Sequence, residues 1–224
     1  MIAHKLLLRY NRIEMTWSGL VDYLIQNSTL KTPSIIQAFN KLDRKNFMPD
    51  KIKYLSDKDA ALPIGYGQTI SQPTTVALML ELLQPEPGQK ILDIGSGSGW
   101  TTALLAEIVG PKGKIFAVEL IPQLVEFGKK NVKNLGYTNV EFILGNGSLG
   151  LKEQAPFDRI LCSAAAPKIP LSLKKQLASR GRLVIPVGTL SQSLVLVKKG
   201  QNSDFSEEHY PGFVFVQLKG KYGF

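Results

Sequence analysis

The residues with the clearest chemical content are three glycines. In Ile91-Leu92-Asp93-Ile94-Gly95-Ser96-Gly97-Ser98-Gly99 an apolar run with one acid in it leads into glycines separated by single serines, and Trp100 then opens a helical stretch. Glycine allows a tight turn and lets backbone approach a ligand closely. The helix beyond offers free N–H groups and the positive end of its dipole to an anionic group. The dinucleotide pattern G-x-G-x-x-G fails here, because its last glycine position, counted from Gly95, is Trp100. A second apolar run, KIFAVE, ends on Glu119 with Leu120 beside it. A carboxylate at such a strand end can accept both hydroxyl hydrogens of an adenosine ribose. Other chemistries are poorly supplied. The histidines are His4 and His209, which makes a histidine-based triad improbable, and the single cysteine, Cys162, leaves no intramolecular disulfide and no Cys-x-x-Cys site. No metal site is expected.

These residues need a scaffold, and the hydrophobic pattern supplies one. After the Pro85-Glu86-Pro87-Gly88 cluster, strand-like runs alternate with helical stretches: KILDIG, a helix over 100–109, KIFAVE, a helix over 122–135, VEFILG, FDRILCSAA, a helix around 170–178, and GRLVIPVG. That alternation implies βαβ crossovers and a parallel sheet covered on both faces, a doubly wound α/β fold. SLVLVKKG and FVFVQL follow with no crossover helix between them, so antiparallel strands are expected at the C-terminal edge of a mostly parallel, seven-stranded sheet. Ahead of the sheet, apolar spacing from Trp17 to about Phe47 predicts two amphipathic helices, the second with Thr32 as N-cap and Pro33 in its first turn. Residues 61–73, ALPIGYGQTISQP, hold no persistent period and read as a shaped loop. A helix from about Thr74 to Leu83 comes next. The 224 residues are expected to form one domain: a helical segment over 1–60, the loop over 61–75, an α/β core over 76–190 and edge strands over 191–224.

Glycine spacing with Asp93 two places ahead resembles the first motif of class I S-adenosylmethionine-dependent methyltransferases. That resemblance implies S-adenosyl-L-methionine as cofactor, held by Asp93, Gly95, Ser96, Gly97, Gly99, Trp100, Glu119 and Leu120. In that class an acidic residue often follows the third strand to bind adenine. Here Asn146 and Gly147 stand there, and Asn146 can take adenine's amino hydrogen while donating to a ring nitrogen. The loop Leu62-Pro63-Ile64-Gly65-Tyr66-Gly67-Gln68-Thr69-Ile70-Ser71-Gln72-Pro73 closely resembles the signature of protein-L-isoaspartate O-methyltransferases, and the likeness extends from about Leu20 to Gly223 through Arg44-Lys45-Asn46-Phe47-Met48-Pro49, Pro156-Phe157-Asp158, Ala164-Ala165-Ala166-Pro167 and Leu183-Val184-Ile185-Pro186-Val187-Gly188. Asn146 and Gln217 depart from it, where the family usually has Asp and Pro.

The resemblance implies methylation of the α-carboxylate of L-isoaspartyl residues in damaged proteins and peptides, with Ser71 as the active-site serine. It also implies Thr69 and Ile70 beside the cofactor, and Ile70, Gln72, Ala165 and Val214 near the acceptor, with the edge strand around Val214 pairing with the extended peptide. A carboxylate ionised at neutral pH is its own nucleophile, so a modest role suits Ser71: one hydrogen bond that orients the acceptor. The alternatives are an RNA methyltransferase, an inactive S-adenosylmethionine-binding module and, more distantly, an NAD-linked oxidoreductase. Net charge is +9, from 27 Lys and Arg against 18 Asp and Glu. The lysines occur in scattered pairs with little aromatic interleaving, so nucleic acid is not the expected partner. The first 14 residues read as an appended tail, with Met15 an alternative start and no signal peptide or membrane span; a cytoplasmic monomer is expected.

Overall fold

The structure, a computed structural model, describes residues 16–202 and 204–224. The expected appended tail, Met15 and His4 lie outside the described residues.

Helix α1 (Trp17–Gln26) starts at Thr16, whose hydroxyl accepts from the Gly19 amide at 3.1 Å. It buries Trp17, Leu20, Val21 and Leu24, one face at helical spacing. In α2 (Pro33–Lys41) proline sits in the first turn as expected. Thr32 makes no capping bond; its hydroxyl donates instead to Glu81 Oε2 at 2.7 Å, tying α2 to helix α3 (Pro73–Leu83). Two 3-10 turns follow α2, Arg44–Phe47 and Asp50–Leu55, each too short to show a period. The shaped loop expected at 61–73 contains a hairpin, β1 (Leu62–Gly65) against β2 (Gln68–Ile70). Tyr66 and Gly67 both stand at positive φ, 55° and 70°, which is what a two-residue hairpin turn demands. Strands of three and four residues are too brief for alternation to register.

The main sheet has seven strands, β3 (Lys90–Ile94), β4 (Lys114–Glu119), β5 (Val140–Leu144), β6 (Phe157–Cys162), β7 (Leu177–Gly188), β8 (Gln192–Lys199) and β9 (Phe205–Phe213), in the order β5-β4-β3-β6-β7-β8-β9. All pairs from β5 to β7 are parallel; β7–β8 and β8–β9 are antiparallel. Helices α4 (Trp100–Val109), α5 (Pro122–Asn134) and α6 (Leu171–Lys175) lie in the connections. Alternate residues of the central strands feed two cores, Ile91, Ile115, Leu161 and Val184 on one face, Leu92, Phe116, Ile160 and Ile185 on the other. This two-sided burial explains why the runs read as continuously apolar.

Two expectations are corrected. The helix around 170–178 ends at Lys175, and Leu177 already begins β7. The last strand is β9, drawn from the polar stretch before FVFVQL rather than from FVFVQL itself. An edge strand needs only main-chain bonds to β8 and can expose nearly all its side chains, as β9 does. The apolar run leaves the sheet after Phe213 and turns back over the strand ends. There Val216 O accepts from the Ala165 amide and the Leu218 amide donates to Ala165 O, both at 2.8 Å.

Connections run outward from β3 through β4 to β5, then return to β6 on its other side. The carboxyl ends of β3, β4 and β6 therefore flank a topological switch point, where doubly wound sheets open a crevice.

Candidate functional site

A crevice opens at those strand ends. Its floor is the glycine turn after β3, its walls are Glu119 and Leu120 after β4 and Ser163 and Ala164 after β6, and its rim is the β2 segment through Ser71 opposite Val216–Lys219. The turn is tied to its neighbour strand, since the Gly95 amide donates to Val118 O at 2.8 Å. Gly99, at φ +84°, has a different task. A Cβ there would stand 2.9 Å from Gly128 O and 3.1 Å from Gly128 Cα, so the pair Gly99–Gly128 sets how closely α4 and α5 pack. Gly128 was not singled out from the sequence. Its only signal is its place on the buried face of α5 with Leu124, Val125 and Val132.

The two acids behave differently. Asp93 is fully buried; its Oδ2 accepts from the hydroxyls of Thr101 at 3.1 Å and Thr102 at 2.6 Å, and Oδ1 has no partner among the described residues. Burial pushes its carboxyl up to about 6, against the pull of the two threonine hydroxyls and with a small push from the Glu119 charge. It braces the first turn of α4 from beneath. Glu119 accepts three backbone amides, from Gly97 at 2.9 Å on Oε2 and from Leu120 at 2.7 Å and Ile121 at 3.0 Å on Oε1. A carboxylate has about four lone-pair positions. One is therefore left, on Oε2, so a ribose would take one strong bond there, and a second hydroxyl would have to share or displace the Gly97 amide.

The lining suits a compact polar ligand. Ser96 Oγ, Trp100 Nε1 and Ser163 Oγ are buried without a partner among the described residues, and all three side chains belong to crevice-lining residues. Buried polar atoms without partners are costly, and a ligand bearing donors and acceptors would satisfy them. Helix α4 has no side-chain cap, which leaves its first-turn amides and dipole free for an anionic group. No group of three or more His, Cys, Asp or Glu able to hold a metal occurs among the described residues.

Of the residues expected at the site, Thr69, Ile70, Ser71, Gly95, Ser96, Gly97, Trp100, Glu119, Leu120 and Gly147 line the crevice. Asp93 and Gly99 do not; they shape the turn from behind. Asn146 does not line it either. Its Oδ1 accepts from the Ser148 amide at 3.0 Å and hydroxyl at 2.8 Å, capping the 3-10 turn Gly147–Leu149. Gln72 turns away and donates to Asp59 Oδ2 at 3.1 Å. Ala165 is fully buried, with both backbone groups engaged by the 216–218 segment, so it leaves no room for an acceptor chain; Ala164 lines the crevice instead. Val214 lies just beyond the end of β9, 90% exposed and outside the crevice lining. Gln68, Ser163 and the segment 216–219 were missed; only the fold brings that segment over the strand ends.

The sequence matches the family model described as protein-L-isoaspartate(D-aspartate) O-methyltransferase over residues 15–223. A protein-L-isoaspartate O-methyltransferase of Methanothrix thermoacetophila is 47% identical over 190 residues, 85% of this chain and 90% of the relative. One from Aeropyrum pernix is 42% identical over 207 residues, 92% of this chain and 80% of the relative. Among solved structures, a putative protein-L-isoaspartate O-methyltransferase from Plasmodium falciparum in complex with S-adenosyl-L-homocysteine superposes with a TM-score of 0.80 at 25% identity, covering 91% of this chain and 98% of that one.

Proposed function

We infer that the chain, which belongs to the protein-L-isoaspartate(D-aspartate) O-methyltransferase family, transfers the methyl group of S-adenosylmethionine to the α-carboxylate of L-isoaspartyl residues in damaged proteins and peptides. The observation that carries this reading is the crevice itself: the loop 68–71, inside the run that resembles the isoaspartyl signature, shares one cavity with the glycine turn and Glu119.

Bound S-adenosylmethionine supplies a sulfonium-activated methyl group, and the acceptor carboxylate supplies the electron pair. The protein's tasks are alignment and exclusion of water. In this reading Glu119 Oε2 and the uncapped first-turn amides of α4 hold the cofactor, with Trp100, Leu120 and Gly147 around it. The Ser71 hydroxyl makes no hydrogen bond among the described residues, which leaves it free to donate to the acceptor carboxylate. Thr69 and Ile70 carry it to the rim, opposite Val216–Lys219. A reducing, cytoplasmic setting and a monomeric enzyme belong to the same proposal. The single cysteine is buried, no helix among the described residues is long and apolar enough to cross a membrane, and one chain builds the whole crevice.

The test uses labelled S-adenosylmethionine and peptide pairs that differ only in Asp against isoAsp linkage, with base-labile methyl incorporation as the readout. Strong preference for isoAsp is expected; equal labelling of both peptides would overturn the assignment. Ser71→Ala should lower kcat roughly 5- to 30-fold, the worth of one or two kcal/mol of hydrogen bonding, with S-adenosylhomocysteine affinity unchanged.

A further inference from the structure

We propose that Arg44 is a positioning residue for the acceptor loop, a desolvated guanidinium whose hydrogen-bond fork sets where Ser71 stands. The inference rests on the reading of Ser71 as the group that orients the acceptor.

Arg44 opens the 3-10 turn Arg44–Phe47 and is fully buried. Its partners are all backbone carbonyls. Nη1 donates to Lys58 O at 3.0 Å, and Nη2 to Ala60 O at 2.7 Å, Ser71 O at 2.9 Å and Ile70 O at 3.1 Å. Nη2 has two hydrogens for three acceptors, so at least one bond is shared, and the three carbonyls are gathered around one nitrogen. The chain segments 58–60 and 70–71, ten residues apart at the two ends of the hairpin, are thereby held by a single planar group. That group also lies 5.6 Å from the ring centroid of Trp100, which lines the crevice and packs edge-on against Trp17 and Phe39. One side chain thus touches both halves of the site, the acceptor loop and the first residue of α4.

Asp59 completes the brace from the far side of Ser71. Its carboxylate accepts from the Thr74 amide at 2.9 Å, the Thr74 hydroxyl at 2.6 Å and Gln72 Nε2 at 3.1 Å. Ser71 therefore sits between a carbonyl held by Arg44 and a turn held by Asp59, with its own hydroxyl left free. Burial lowers the guanidinium to about 10, with the Asp59 charge opposing, so the fork stays protonated at neutral pH and keeps all its donors. Lysine could not replace it. An ammonium is a point donor on a flexible stem, whereas these carbonyls are spread across a plane that a guanidinium spans. Water could satisfy the same carbonyls, but it would not fix their separation, and methyl transfer depends on sub-ångström placement of the acceptor.

The test is a double-mutant cycle on kcat with an isoaspartyl peptide, using Arg44→Lys, Ser71→Ala and the double variant, with S-adenosylhomocysteine binding measured alongside. Arg44→Lys should lower kcat about 10-fold, leave S-adenosylhomocysteine Kd within about 3-fold, and cost less than about 2-fold when Ser71 is already alanine. An Arg44→Lys loss that is the same in both backgrounds would overturn the proposal, since a general loss of stability is indifferent to Ser71. If Ser71→Ala alone leaves kcat unchanged, it is the reading of Ser71 that fails. Should Arg44→Lys not fold, Asp59→Asn, at an exposed position, is read through the same cycle: a loss that vanishes with Ser71→Ala supports the brace, and an additive loss or none overturns it.

Discussion

Glu119→Gln separates ligand binding from catalysis most sharply. The glutamine carbonyl can take the place of Oε1 and keep the amides of Leu120 and Ile121, leaving the side-chain NH2 where Oε2 accepts from Gly97 at 2.9 Å. A donor then faces a donor. The opposite rotamer is worse, because it sets the NH2 against two amides instead of one. In the favoured rotamer the remaining acceptor position on Oε2, the one assigned to a ligand hydroxyl, is lost together with its charge. A hydrogen bond to a charged group contributes about 1.5–3 kcal/mol, so Kd for S-adenosylhomocysteine should rise roughly 10- to 150-fold. At saturating S-adenosylmethionine kcat should change by less than about 3-fold, because that contact is made equally in the ground and transition states. Isothermal titration calorimetry gives the first quantity and steady-state methylation of an isoaspartyl peptide the second. A folded Glu119→Gln variant that binds S-adenosylhomocysteine as the parent does would refute the assignment of Oε2 to the ligand.

Asp93 should make stability depend on pH in the direction opposite to an ordinary paired carboxylate. Its folded-state value of about 6 stands above the ordinary 3.8, so the stabilisation is full below that ordinary value and is lost as pH rises through about 6. The loss is about 3 kcal/mol, and the stability gap between the parent and Asp93→Asn in urea unfolding should move by that amount between about pH 4 and about pH 7. A flat gap would show that Asp93 does not titrate there. Cys162 is fully buried, donates to Ala164 O at 3.3 Å, and its thiol is pushed up to about 12 by burial. Native alkylation should be at least about 100-fold slower than in denaturant, and equal rates would contradict the buried end of β6. In Gly128→Ala the new Cβ would meet Gly97 O and Phe142 Cε1, each at 2.9 Å. The variant should lose about 1–3 kcal/mol of stability and weaken S-adenosylhomocysteine binding together; unchanged melting and binding would show that the glycine turn does not depend on this contact.

What could be read from the sequence follows the range of the interaction involved. The strands β3, β4, β6 and β7 were visible because burial on both faces leaves an uninterrupted apolar run, and α4 and α5 because each repeats its buried face for several turns. The hairpin β1–β2 and the edge strand β9 were not, since the first is too short for a period and the second is held by main-chain bonds that leave no mark on side-chain type. FVFVQL misled for the complementary reason: its apolar residues cover strand ends instead of pairing along an edge. At the site, the glycine turn and Glu119 were legible as residue types in place, whereas their division of labour was not. Gly99 answers to Gly128, and Glu119 already holds Gly97, Leu120 and Ile121 before any ligand arrives. Asn146 was read for its amide's hydrogen-bonding capacity, but the sequence does not show that its oxygen caps the 3-10 turn by accepting from the Ser148 amide two residues on. Arg44 shows the same limit from the other side. Its carbonyl partners lie 14 to 27 residues away, so only the folded chain reveals that a motif residue outside the crevice holds the loop inside it. Residue type locates a site, and the long-range backbone bonds decide which of its atoms remain free to act.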